Sequence, residues 1–198
     1  MNREPAGRES TTRANTDALL APDALRALIA GAKKRDEDAL TALVTHFHRH
    51  IYLTAYAIMR TPEDAEDVTQ DTFLKAFAKL HTLEHPDAFP AWLTTIATRL
   101  AIDKNRRKTR LAETPLITAQ EQARLDPRRD PTERMILAEA LETLSSAHRA
   151  TLLLYERDGY DYKEIAEILN IPIGTVKSRL ANAKRLLREV FESREDDR

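Results

Sequence analysis

A chain of 198 residues is long enough for one ordinary domain or two small ones. Its 42% hydrophobic and 32% charged residues, with only four glycines, fit a helical protein with much solvated surface and argue against a strand-rich barrel. The absence of cysteine excludes disulfides, thiolate metal sites and a thiol nucleophile, and the net charge of −1 leaves any nucleic-acid partner to be read from local charge.

The first 21 residues are polar, with Pro5 and Gly7, and read as a flexible tail (1–21). This start lacks the apolar stretch of a secretory signal, and no run approaches the roughly 18 apolar residues of a membrane span. A cytoplasmic location without membrane insertion is the expectation. From Pro22 the pattern turns helical, on Leu25, Leu28 and Ile29. A second helix follows on Leu40, Leu43, Val44, Phe47, Ile51 and Ala55. Thr61 reads as the cap of a third helix, with Pro62 at its first position and Glu63 and Asp64 at the positive end of its dipole. That helix is expected to run to about Leu80 on Ala65, Val68, Thr72, Phe73, Ala76 and Phe77. A loop leads to a fourth helix with Trp92, Ile96, Leu100 and Ile102 inward.

Beyond Thr109 the period breaks, and three prolines fall by Pro131, so 109–130 reads as a linker. Asp130, Pro131 and Glu133 then form a helix-start signal. Helices are expected at about 131–143, 146–157, 161–169 and 172–191, with Gly159 as a stop and Asp161 with Glu164 as a capping box. The tail 193–198 reads as frayed. The prediction is an all-α chain of two small modules, 22–108 and 131–192, joined by a flexible linker that leaves their relative orientation open.

The stretch "YKEIAEILNIPIGTVKSRLANAKRLLREV" has the layout of a helix-turn-helix. Ile165, Ala166 and Leu169 face inward on its first helix, and Val176, Leu180, Ala183 and Leu187 on its second. A recognition helix places its N-terminal residues in the DNA major groove. Here those outward residues are Gly174, Thr175, Lys177, Ser178, Arg179, Ala181 and Asn182. Lys177 and Arg179 suit phosphates or guanine, Ser178 and Asn182 suit base edges, and Gly174 allows close backbone approach. Residues 163–191 carry six basic and three acidic side chains, a local excess of +3.

Two further surfaces stand out in the first module. Asp67, Gln70, Asp71 and Leu74, spaced i, i+3, i+4, i+7, share the outside of the third helix. Such a stripe suits either solvent or a docking partner. The fourth helix ends in the basic cluster Lys104, Arg106, Arg107, Lys108 and Arg110, which suits phosphate contact.

"DAEDVTQDTFLKAF", "FPAWLTTIATRLAIDKNRRK" and "YKEIAEILNIPIGTVKSRL", in that order, resemble an extracytoplasmic-function (ECF) sigma factor of bacterial RNA polymerase. The resemblance covers residues 23–108 and 132–191 and likens the modules to sigma regions two and four. It implies promoter-specific initiation with core RNA polymerase, no enzymatic activity and no cofactor. Region two would dock on the polymerase clamp helices through Asp67, Gln70, Asp71 and Leu74. It would hold the opened minus-ten element with the loop beginning His81, Thr82 and Leu83 and with Lys104, Arg106, Arg107, Lys108 and Arg110. Region four would read the minus thirty-five element with its recognition helix and dock on the polymerase flap. The family also implies an anti-sigma factor partner. One departure is the Ala181-Asn182 pair, where members commonly carry bulk or positive charge. The alternative reading is a stand-alone helix-turn-helix regulator.

His46 and His50 lie four apart, with His48 between, but no third ligand is near in sequence, and no metal site is expected. No phosphate loop, nucleophile elbow or zinc-protease motif is present.

Overall fold

The structure is a computed structural model, which describes residues 20–111 and 140–195. Seven helices are described: α1 (Pro22–Lys33), α2 (Glu37–Met59), α3 (Pro62–Lys79), α4 (Phe89–Leu111), α5 (Ser146–Glu156), α6 (Tyr162–Leu169) and α7 (Ile173–Glu195). Two 3₁₀ turns, Leu80–Thr82 and Pro86–Ala88, carry the chain from α3 to α4. No strand occurs among the described residues. The expected tail up to residue 19 and the helix start at 130–133 lie outside them. Of the linker expected at 109–130, residues 109–111 instead continue α4 and 112–130 lie outside; of the frayed tail expected at 193–198, residues 193–195 instead continue α7 and the rest lies outside. Of the helix expected at 131–143, residues 140–142 are described and are helical.

Local chemistry sets most boundaries. Asp36 caps α2 by accepting from the Asp38 N–H at 3.0 Å. Just before it, α1 and α2 cross so closely that a Cβ on Gly31 would meet that of Ala39 at 2.9 Å. α2 ends where Arg60 turns left-handed, at φ 68°. Thr61 occupies the cap position of α3, but its hydroxyl donates to Asp64 Oδ2 at 2.6 Å instead of accepting from the helix backbone. The capping box of α6 is complete. Asp161 accepts from the N–H groups of Lys163 and Glu164 at 2.7 and 2.8 Å, and Glu164 accepts from the Asp161 N–H at 2.9 Å. Asn170, left-handed at φ 52°, makes the turn into α7.

The first core gathers Ile29, Leu43, Phe47, Ile51, Phe73, Leu80, Phe89 and Leu93 from α1 to α4, with Phe47 edge-on to Phe89 at 5.4 Å. Burying each such side chain is worth about 1.5–3 kcal/mol. Buried threonines are tolerated because their hydroxyls bond back along their own helices: Thr69 to the Ala65 carbonyl at 2.7 Å and Thr72 to that of Val68 at 2.6 Å. The second core gathers Leu144, Leu154, Ile165, Val176, Leu180 and Ala183.

The inner face of α4 serves two clusters. Trp92, Leu93, Ile96 and Ala97 pack on the first core. Leu100, Ala101 and Ile102 join a third cluster with Ala55, Tyr56, Ile58, Met59 and Val68, to which Ala150 of α5 and Leu169 of α6 also belong. This third cluster is shared by the two modules, which therefore pack directly on each other.

Candidate nucleic-acid and protein interfaces

The start of α7 presents its outer face to solvent. Gly174, Lys177, Ser178, Ala181 and Asn182 are exposed, Thr175 and Arg179 are half-buried, and Val176, Leu180 and Ala183 are inside. The Ser178 hydroxyl donates to the Thr175 carbonyl at 3.0 Å. A Cβ on Gly174 would meet nothing within 4 Å, so packing does not demand a glycine there. Lys177 Nζ lies 6.0 Å from the centre of the Tyr162 ring, itself 5.4 Å from Tyr155. His148 belongs to this region, though nothing in its sequence neighbourhood marks it. Its Nδ1 lies 2.9 Å from Ser145 Oγ, and burial, with the positive charge of Arg179, lowers its pKa.

On α3, Asp67, Gln70 and Asp71 are exposed, and Leu74 is 68% exposed. The fold brings the basic end of α4 against the start of this stripe. Lys104 Nζ lies 2.9 Å from Asp67 and 3.4 Å from Asp64, and Lys108 also bonds Asp64. Burial alone would raise the Asp64 pKa. The hydrogen bonds from Lys108 and Thr61 and the charges of Lys108 and Lys104 outweigh it and hold the carboxyl below its usual range. Arg106 lies 3.4 Å from Asp103, and Arg107 is exposed. The Arg110 side chain is outside the described residues.

In the loop before α4, His81 and Thr82 are exposed, but Leu83 is not. Its side chain is buried in the first core because the 3₁₀ turn rotates it inward. Leu83 is thus an anchor of the loop, not part of its outer surface. The Leu83 carbonyl accepts from Lys33 Nζ at 2.6 Å, and Asp87 pairs with Arg26 at 2.7 Å, so α1 braces both ends of the loop. The histidines of α2 serve neighbours: His48 Nε2 lies 3.4 Å from Glu66, and His50 Nε2 lies 3.2 Å from Thr94 Oγ1. Among the described residues no group of three metal-ligating side chains forms.

Residues 43–111 match Sigma-70 region 2 and residues 134–187 match Sigma-70 region 4. Over 171 residues the chain is 31% identical to ECF RNA polymerase sigma factor SigW of Bacillus subtilis (strain 168), spanning 79% of this chain and 91% of that protein. The chain belongs to the ECF sigma factor family. A sigma factor is an initiation factor, not an enzyme. Among solved structures, this ECF sigma factor is similar to CnrH in complex with the cytosolic domain of CnrY (TM-score 0.60, 26% identity, 86% of this chain and 99% of that one). It is also similar to the sigma factor RpoE in complex with the anti-sigma factor NepR from Bartonella quintana (TM-score 0.59, 26% identity, 77% of this chain and 96% of that one). No helix among the described residues is long and apolar enough to cross a membrane.

Proposed function

We propose that this sigma factor binds core RNA polymerase and promoter DNA in the cytoplasm, and that an anti-sigma factor controls it. The module at 22–108 docks on the clamp helices through Asp67, Gln70, Asp71 and Leu74. The loop headed by His81 and Thr82 takes the opened minus-ten element, with Lys104, Arg106, Arg107, Lys108 and Arg110 holding phosphates. The module at 131–192 docks on the flap and reads the minus thirty-five element with Gly174, Thr175, Lys177, Ser178, Arg179, Ala181 and Asn182.

The observation that carries this reading is that one chain exposes both an outward helix-turn-helix face, with a glycine its fold does not need, and a solvated leucine on an acidic stripe. A DNA-binding regulator alone has use for the first and none for the second. Co-purification with core polymerase, followed by run-off transcription from promoter fragments, tests it. Promoter-dependent transcripts are expected; a chain that neither binds core nor directs initiation would sink the reading.

A further inference from the structure

The loop between α3 and α4 is pinned at two points by α1. Arg26 grips the Asp87 carboxylate with two bonds, Nε to Oδ1 at 3.0 Å and Nη2 to Oδ2 at 2.7 Å, while its Nη1 lies 3.2 Å from Asp23 on its own helix. Lys33, about two turns further along α1, donates to the Leu83 carbonyl at 2.6 Å. The Leu83 side chain is buried in the first core. Between the two pins Glu84 and His85 are exposed, Pro86 is half-buried, and the Ala88 N–H donates to the His85 carbonyl at 3.0 Å. Proline fixes one of the few backbone angles left free, so the arch over residues 84–86 has little freedom once both ends are held.

The Arg26–Asp87 pair does little for stability. Its side chains are 52% and 55% exposed, and exposed ion pairs contribute little to folding. A bidentate arginine–carboxylate fork nevertheless fixes geometry as well as charge. The hydrogen bond and the charge of Arg26 hold the Asp87 carboxyl below its usual range, so the loop carries an acid that is ionised but already partnered. An unpartnered acid there would repel a nucleic-acid backbone.

We propose that Arg26 and Lys33 are positioning residues for promoter choice: by pinning residues 83 and 87 they hold the Glu84-His85 arch in one shape, and that shape sets how sharply the loop tells one unpaired base from another. The proposal rests on the promoter-binding reading above, and neither residue is in the sets named there. Telling bases apart needs donors and acceptors fixed to within about 0.5 Å. An arch free to relax adapts to each base and binds them more nearly alike. Losing a pin therefore costs discrimination more than overall affinity.

The test uses holoenzyme made from core polymerase and the full chain. Its probe is single-stranded DNA randomised over the minus-ten positions. Sequencing the bound fraction gives the base preference, and the amount bound gives affinity for the pool. In Arg26→Ala and in Lys33→Met the preference should fall several-fold, with core-polymerase affinity and melting temperature as in wild type. Lys33→Arg should keep the preference. The exchanged pair Arg26→Asp with Asp87→Arg, placed beside Asp23→Asn to remove like-charge repulsion, should recover it. An unaltered preference in both single variants overturns the proposal. A fall that the exchanged pair does not recover overturns it for Arg26, whose charge would then act on DNA directly. Amide exchange on the free chain tests the pins separately: the Leu83 and Ala88 N–H groups should exchange several-fold faster in both variants, and equal rates overturn the brace. If wild-type holoenzyme takes up none of the probe, the promoter-binding reading fails and the positioning role falls with it, while amide exchange still reports on the pins.

Discussion

Lys104 and Asp67 form an ion pair at 2.9 Å across α4 and α3, joining a cation proposed for promoter phosphate to an acid proposed for polymerase. Both side chains are partly exposed, so the pair itself contributes only about 0.2–1 kcal/mol. On the proposed roles, a phosphate that captured Lys104 would leave Asp67 free for the polymerase.

Asp64, more sheltered beneath this pair, ties Lys104, Lys108 and Thr61 together. Its pKa is held below the ordinary 3.8. A depressed carboxylate stabilises the fold above that ordinary value, and the contribution fades as pH falls through the folded-state pKa. Asp64→Asn should cost about 1 kcal/mol at neutral pH. Urea melts at pH 7 and pH 3 should show a smaller difference at the lower pH.

Leu74→Ala should change stability by less than about 0.5 kcal/mol, because the side chain is solvated. If Leu74 anchors a docking face, core-polymerase affinity should fall about tenfold or more. Asp71→Arg with Gln70→Ala should do the same with an unchanged melting curve. Equal affinities for wild type and both variants would remove the stripe from the interface.

Gly174→Ala separates fold from partner. Its Cβ has open space, and the helix gains about 0.5–1 kcal/mol of propensity. The variant should therefore melt at or above the wild-type temperature, yet bind an upstream-element duplex more weakly. Lys177→Ala should instead leave stability alone and make the salt dependence of binding shallower, by about one unit of slope for each phosphate no longer neutralised. Undiminished duplex binding by Gly174→Ala would show that no DNA backbone comes close there.

His148 predicts an acid response. Burial and Arg179 lower its folded-state pKa below the usual 6.5. Below that value the unfolded chain takes up a proton more readily than the fold does, so stability is lost as pH falls from neutrality towards the folded pKa. Thermal melts at pH 7.5 and pH 5 should show a larger drop for wild type than for His148→Gln. Equal drops would assign the acid response to other groups.

Periodicity makes the helices legible, and side-chain capping does the same for the start of α6. The Asp161–Glu164 box and the outward face of α7 both follow from spacing within a dozen residues. The acidic stripe of α3 is equally readable, because its buried partners Ala65, Val68, Thr72 and Phe73 fix which side is out. Leu83 defeats the same reasoning because a 3₁₀ turn rotates the loop, and an apolar residue within a loop carries no period to show its direction. Trp92, Ile96, Leu100 and Ile102 are only half-buried: the deepest face of α4 is Phe89, Leu93, Ala97 and Ala101, one position on from the stripe that the large apolar residues predict, and spacing alone does not say which module either face meets. The arginines between the modules leave no trace: Arg99 bonds the carbonyls of Ile168 and Glu167 and Arg149 that of Ile58, and every residue has a carbonyl, so no complementary side-chain pattern marks their partners.

Thr69, Thr72 and Thr151 are buried, and each gives its hydroxyl to the carbonyl four residues behind it. A buried polar group normally ties a position to a matching residue elsewhere, and the two must then change together. These three need no matching residue on a neighbouring helix. A change at any of them therefore breaks no hydrogen bond to a neighbouring helix, and its cost is set by local packing alone.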